Sequence, residues 1–325
     1  MSSATVLRQG IYQSGLVRRI ARWLEAIPHP PIAIEIAPDR IAVARWSRTG
    51  SVDEFALETL PTGALVPSAV ETNLVNVAAA KSALTKACER VRAKDEDVAL
   101  ILPDPVIRVF VQHFEDFPRS SEEAIPLLRW KLKKSVPFEA DETIISYFRQ
   151  APREAGVDVV TALARQRIIR EYESLAEAAG LYAGVVLSST LAAISLLDDK
   201  KPILLARISG SSLTTAIVRS GTLCGYRCTE LPAHGADLTP QMLLEEVFPV
   251  AAYYQDTWHE GISTVRIAGL GPRLGEFSGL LEQEFRCEVQ SLLRSAYSDG
   301  RIKDDARQLA DRDLEGLVGW MLHRG

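Results

Sequence analysis

The sequence predicts a mixed α/β protein built of two related lobes, and three features lead there. The chain has 325 residues, more than one small domain needs, and its 47% hydrophobic share can fill two cores. Short β-rich runs alternate with amphipathic helical stretches along most of it. A strand, a tight turn and a second strand open each half, at residues 32–46 and again at 203–218. Each pair is followed by a further strand and a helix, so an internal duplication explains the order better than one doubly wound sheet.

Taken in order, residues 1–30 form a basic amphipathic extension. Leu16, Ile20, Trp23, Leu24 and Ile27 share one helical stripe, with Arg18, Arg19 and Arg22 largely off it. Such a helix either lies on anionic lipid or packs on the protein; Pro28, Pro30 and Pro31 end it. Residues 32–36 and 41–46 read as a hairpin through Ala37-Pro38-Asp39-Arg40, followed by a strand at 54–59 and a helix at 73–91. Residues 98–102 form a buried strand, and 106–113 a second β-run. Ser120 and Ser121, followed by Glu122 and Glu123, start a helix expected to reach about 135. Strands at 143–148 and 159–164 bracket a polar turn, and the helix at 167–179 closes on Gly180. Residues 178–197 carry no charge over a length that would span a bilayer. Their Gly, Ser and Thr content nevertheless reads as a strand turning into a helix. The second half gives strands at 203–209, 213–218 and 222–230, a helix at 238–259 and a strand at 264–268. A glycine turn at 269–271 then opens a helix to 285, and the last helix falls near 313–322.

Composition narrows the function. Against 37 Lys and Arg stand 42 Asp and Glu, a net charge of −5, so no nucleic-acid partner is expected. The four scattered cysteines are not a disulfide framework and favour a reducing compartment. Cys224 and Cys228, with His234 six residues on, lack a fourth ligand at a usual spacing, so no metal is expected. None of the five histidines stands in a nucleophile context, and no catalytic residue is assigned. No apolar segment follows the first arginine, so no signal peptide is expected.

Several segments together resemble the PilM family, the actin-like cytoplasmic proteins of type IV pilus assembly. They are Ile32-Ala33-Ile34-Glu35-Ile36-Ala37, the helix from Arg129-Trp130 to Ser135-Val136-Pro137-Phe138, and the strand at 159–164. Glu173 to Leu181, with its Ala-Gly-Leu helix end, and Leu317-Val318-Gly319-Trp320 complete the set. The resemblance covers residues 31–325 and implies an actin-like fold of duplicated ribonuclease-H-like units with an FtsA-type inserted subdomain. The implied division is a first lobe of 31–96 and 165–200, an insert at 97–164, and a second lobe at 201–325. The second lobe would carry a reduced helical insertion at about 226–261. It also implies a non-enzymatic scaffold under the inner membrane, holding the short cytoplasmic tail of a PilN-like membrane protein and touching other platform or motor proteins.

Actin-type folds hold Mg-ATP between two hairpin turns whose glycines admit phosphate to backbone amides, each with an acid nearby. Here the first turn has Glu35, Ala37, Pro38 and Asp39, and proline has no amide to donate. In the second turn Arg207 stands where the acid would be, before Gly210, Ser211 and Ser212; Gly269 and Gly271 mark the turn under the nucleoside. Arg207 would either pair with phosphate or bridge to Glu35. The expectation is a degenerate cleft that requires no cofactor and turns over no ATP, with silent Mg-ATP binding as the alternative. An actin-superfamily ATPase or phosphotransferase is the runner-up, and a GspL-like type II secretion domain, which would continue into a membrane span, is third. Arg129, Trp130, Lys133 and Lys134 are the candidate partner face, weighed against a merely solvated helix side.

Overall fold

The computed structural model describes residues 29–46, 52–139, 142–152, 155–197, 200–233, 235–293, 309 and 312–322. The N-terminal extension expected at 1–30 lies almost wholly outside them, as do His234 and His323. The chain divides into two compact units, with the boundary in sequence between Ser188 and Ser189.

The first unit is built on a five-stranded sheet. Its strands are β1 (Ile32–Ala37), β2 (Arg40–Trp46), β3 (Val52–Thr59), β4 (Asp97–Leu102) and β8 (Tyr182–Ser188), in the order β3-β2-β1-β4-β8. The hairpin strands pair antiparallel, while β1, β4 and β8 run parallel. Every residue of β1 is buried, as suits a central strand covered on both faces. Helix α1 (Val77–Val91) starts later than the periodicity predicts, because Asn73 is an organising residue of the preceding loop. Fully buried, it donates through Nδ2 to the carbonyls of Ser68 and Glu71, at 2.9 and 2.7 Å. Its Oδ1 accepts from the Ser68 amide and the Tyr172 hydroxyl, at 3.0 and 2.9 Å. Asn76 then caps the helix by accepting from the Ala79 amide at 3.0 Å.

A smaller three-stranded sheet, β5 (Arg108–Phe114), β6 (Thr143–Pro152) and β7 (Val157–Arg165), has the order β5-β7-β6 and carries helix α2 (Ser121–Leu132) on one face. Ala124, Leu128 and Leu132 of α2 pack against Phe114, Ile145, Val159 and Leu163. The insert therefore begins after β4 and not at residue 97: Asp97–Leu102 pairs with β1 as a core strand of the first sheet. Helix α3 (Gln166–Glu177) returns the chain to β8.

The second unit repeats the first sheet. Strands β9 (Ile203–Ser209), β10 (Ser212–Arg219), β11 (Thr222–Glu230), β12 (Thr264–Ala268) and β13 (Glu288–Ser291) take the order β11-β10-β9-β12-β13, the same topology as the first. Helix α4 (Ser189–Ala193) belongs to this unit, not to the first lobe as the boundary at 200 implied. Helices α5 (Pro240–Trp258) and α6 (Leu274–Phe285) pack Leu243, Val247, Tyr254, Phe277 and Leu281 onto Leu204, Ile208, Val265 and Ile267. The segment at 226–261 is thus no insertion: β11 runs to Glu230, and α5 is the crossover between β11 and β12. Helix α7 (Glu315–Leu322) lies against α4, where a Cβ on Gly319 would meet the Ala192 carbonyl oxygen at 2.2 Å.

Candidate functional site

Each half carries its candidate residues at the carboxyl end of its central strand, the end where open α/β sheets bind ligands. Ala37 and Arg40 close the first hairpin across Pro38 and Asp39, and Ser209 and Ser212 close the second across Gly210 and Ser211. Glu35 lies two residues before the first closing pair and Arg207 two before the second. Glu35 pairs with Ala42 and Ile101, and Arg207 with Thr214 and Ala268, on equivalent strands. The duplication thus brings the acid of one half and the arginine of the other to matching register positions.

In the first unit Glu35 is only 2% exposed. Its turn has one amide fewer than a phosphate-binding hairpin turn. Pro38 offers no amide, the Asp39 carbonyl accepts from the Leu60 amide at 2.7 Å, and the Asp39 carboxylate meets Arg40 Nη1 at 3.2 Å. Two further buried polar residues, absent from the sequence reading, lie at the same end of the sheet. Asp104 follows β4 between two prolines, and Ser188 ends β8. The sheet register aligns Glu35 with Ile101 and Ile101 with Leu187, which brings all three to one edge. The Pro103-Asp104-Pro105 step after an apolar strand was the available signal.

In the second unit the turn keeps its glycine, Gly210, at φ +58°, which a two-residue hairpin turn of the II′ kind requires. The Ser212 hydroxyl donates to the Ser209 carbonyl at 2.8 Å, and the Ser211 carbonyl accepts from Leu231 at 2.7 Å, so both are tied into the turn. Arg207 is 5% exposed and its Nε lies 3.7 Å from Glu315 Oε2, itself buried in the first turn of α7. Within this unit Glu315 is a carboxylate that faces Arg207. Beside this pair is a cavity of about 290 Å³, lined by Gly269, Gly271, Pro272, Ser291, Asp313 and Glu315 among others. Gly269 takes φ +83°, and a Cβ there would lie 1.9 Å from the Ile208 carbonyl oxygen, so the turn closes tightly onto β9. Gly271, at φ +51°, has open space around it.

The basic face lies on and just beyond α2. Arg129 Nη2 donates to the Thr143 carbonyl at 3.4 Å. Trp130 is 76% exposed, and Lys133 and Lys134 are exposed beyond the helix end. Cys224 and Cys228 lie on β11, and among the described residues no three His, Cys, Asp or Glu side chains form a metal-binding group. Among those residues, too, no helix is long and apolar enough to cross a membrane; the uncharged stretch after residue 178 folds as β8 and α4.

Two units of one sheet topology, with a three-stranded insert in the first, define the actin-like fold. A solved PilM-PilN type IV pilus biogenesis complex resembles the chain with a TM-score of 0.70 at 15% identity, covering 91% of this chain and 99% of that one. A Bacteroides thetaiotaomicron protein described as having an actin-like ATPase fold and unknown function gives a TM-score of 0.51 at 8% identity. It covers 86% of this chain and 95% of that one. No family model and no curated protein matches the sequence.

Proposed function

We propose that the chain is a non-enzymatic scaffold of a type IV pilus assembly platform, working at the cytoplasmic face of the inner membrane. It holds the extended cytoplasmic tail of a PilN-like membrane protein. The observation that carries this reading is the insert on the actin-like frame: β5 is an edge strand of the three-stranded sheet, in a chain whose fold resembles that of a PilM-PilN complex. An edge strand offers backbone hydrogen bonds to an extended peptide, and half-buried Phe110 and Val111 supply apolar contact on alternate faces. The ordering cost of a disordered tail sets the affinity near micromolar, about −8 kcal/mol.

Titrating a labelled peptide with the sequence of a PilN-like cytoplasmic tail tests the reading. Saturable micromolar binding is expected. Alternate residues of β5 point their amides outward, so proline at whichever of Val111 and Gln112 has the outward amide should weaken binding at least tenfold with the circular dichroism unchanged, while proline at the other breaks a β5–β7 bond. No binding at tens of micromolar by folded protein would sink it. The scaffold hydrolyses no ATP. Support comes from Pro38 in the first turn and from an arginine, buried against Glu315, in the second. Phosphate release above a boiled control, abolished by Glu35→Ala, would establish the ATPase alternative instead.

A further inference from the structure

The outer face of α2 carries a feature that tail binding does not use. At 100° per residue, the buried stripe of Ala124, Leu128 and Leu132 has its opposite stripe at Pro126 and Trp130, continued beyond the helix by Lys134. Trp130 is 76% exposed on this outer face. Residues 129–134 read Arg-Trp-Lys-Leu-Lys-Lys, without one acid, in a chain whose net charge is −5. Arg129 and Lys131 are held in place, the first on the Thr143 carbonyl and the second 3.8 Å over the Phe114 ring. Lys133 and Lys134 are exposed. The acids Glu122 and Glu123 sit at the other end of α2, about 10 Å from Trp130 at 1.5 Å rise per residue, roughly one Debye length.

We infer that this end of α2 docks on the surface of an anionic phospholipid bilayer. Trp130 enters the headgroup region, and Lys133 and Lys134 sit over lipid phosphates. An indole has an apolar body and one N–H donor, which suits a half-wet interface. A peptide partner would need a concavity to bury its anchors; a planar membrane does not. The charge complementarity is local, so the contact is weak, reversible and sensitive to salt.

The test uses the full chain and sedimentation with phosphatidylglycerol–phosphatidylcholine vesicles, against pure phosphatidylcholine. Anionic vesicles should be bound and neutral ones not, with loss of binding at high salt. Replacing both lysines by glutamine should lower partitioning about 30-fold. Trp130→Ala should lower it several-fold and remove part of the fluorescence quenching by brominated lipid. These side chains are exposed, so the variants should melt like the parent. Variants that sediment like the parent would assign any lipid binding to residues 1–28 and overturn the inference. Weakened tail-peptide binding by the same variants, without vesicles, would reassign the face to a protein partner and also overturn it. Failure of the tail peptide to bind the parent leaves this result unaffected.

Discussion

Arg207→Met should destabilise the second unit severely, while Arg207→Met combined with Glu315→Met should not. The guanidinium Nε and carboxylate oxygen lie 3.7 Å apart with both side chains about 5% exposed. At that distance and an effective dielectric of about 20, their attraction is on the order of 4 kcal/mol, comparable to the desolvation cost of burying them. Removing one partner takes a buried counter-charge from the other, which costs about 3–5 kcal/mol. Replacing both by apolar side chains of similar volume is close to neutral. For a unit of this size that single loss lowers the melting temperature by roughly 10–20 °C. Calorimetry is the assay, because the two units need not unfold together. Trp258 and Trp320, both in the second unit, report the transition optically. A single-variant cost under about 1 kcal/mol, or a double variant as unstable as the two singles summed, would refute the closed-pair account. So would parent protein that Mg-ATP or inorganic phosphate stabilises by several degrees, since Arg207 would then be serving an anion.

Three further outcomes are expected. Gly269→Ala should cost more than about 2 kcal/mol, because its Cβ meets the Ile208 carbonyl oxygen at 1.9 Å, whereas Gly271→Ala, in open space, should cost about 1 kcal/mol; urea unfolding compares them. Asn73→Ala should cost about 2–3 kcal/mol and loosen residues 64–76 in hydrogen exchange, since it leaves the Tyr172 hydroxyl and two carbonyls unpaired. Stability should fall as pH rises from about 9 towards 12. Burial, with some help from Glu89, lifts the Cys88 thiol from 9.0 to about 12, and burial also raises Tyr172, Tyr254 and Cys287. The unfolded chain releases those protons first, so alkali favours it by up to about 1.4 kcal/mol per pH unit per group. Unfolding midpoints at pH 8 and 10.5 check the trend, and Cys88→Ala should flatten it.

The hairpins, the duplication and the glycine turn were legible because each is a local signal: alternating apolar residues, a two-residue turn, a strand ending in Gly-x-Gly. What was misjudged depended on contacts distant in sequence. Residues 98–102 read correctly as a buried strand, but nothing in an apolar run says which sheet a parallel strand joins. Asn73 read as the start of a helix because the four residues that its five hydrogen bonds reach, one of them Glu171, lie in a loop and on another helix. Glu315 was passed over because it opens an otherwise apolar helix and its burial shows only in three dimensions. The same holds for Asp104, whose flanking prolines mark a turn without saying that the carboxylate is enclosed.

The two hairpin ends differ in opposite ways from the phosphate-binding turns that the family resemblance implies. The first keeps a buried acid, Glu35, but has a proline in its turn. The second keeps a glycine at φ +58° but has an arginine in place of the acid. A turn that has lost one amide to proline grips phosphate less well, and a turn with its amides but no acid has less to position Mg²⁺. Arg207 has moreover acquired its own carboxylate in Glu315, so putting an acid at 207 would set two carboxylates together in the interior and destabilise the fold. An acid at 207 would therefore need Glu315 changed as well, and this linkage is what supports the proposal that the chain works through its surfaces.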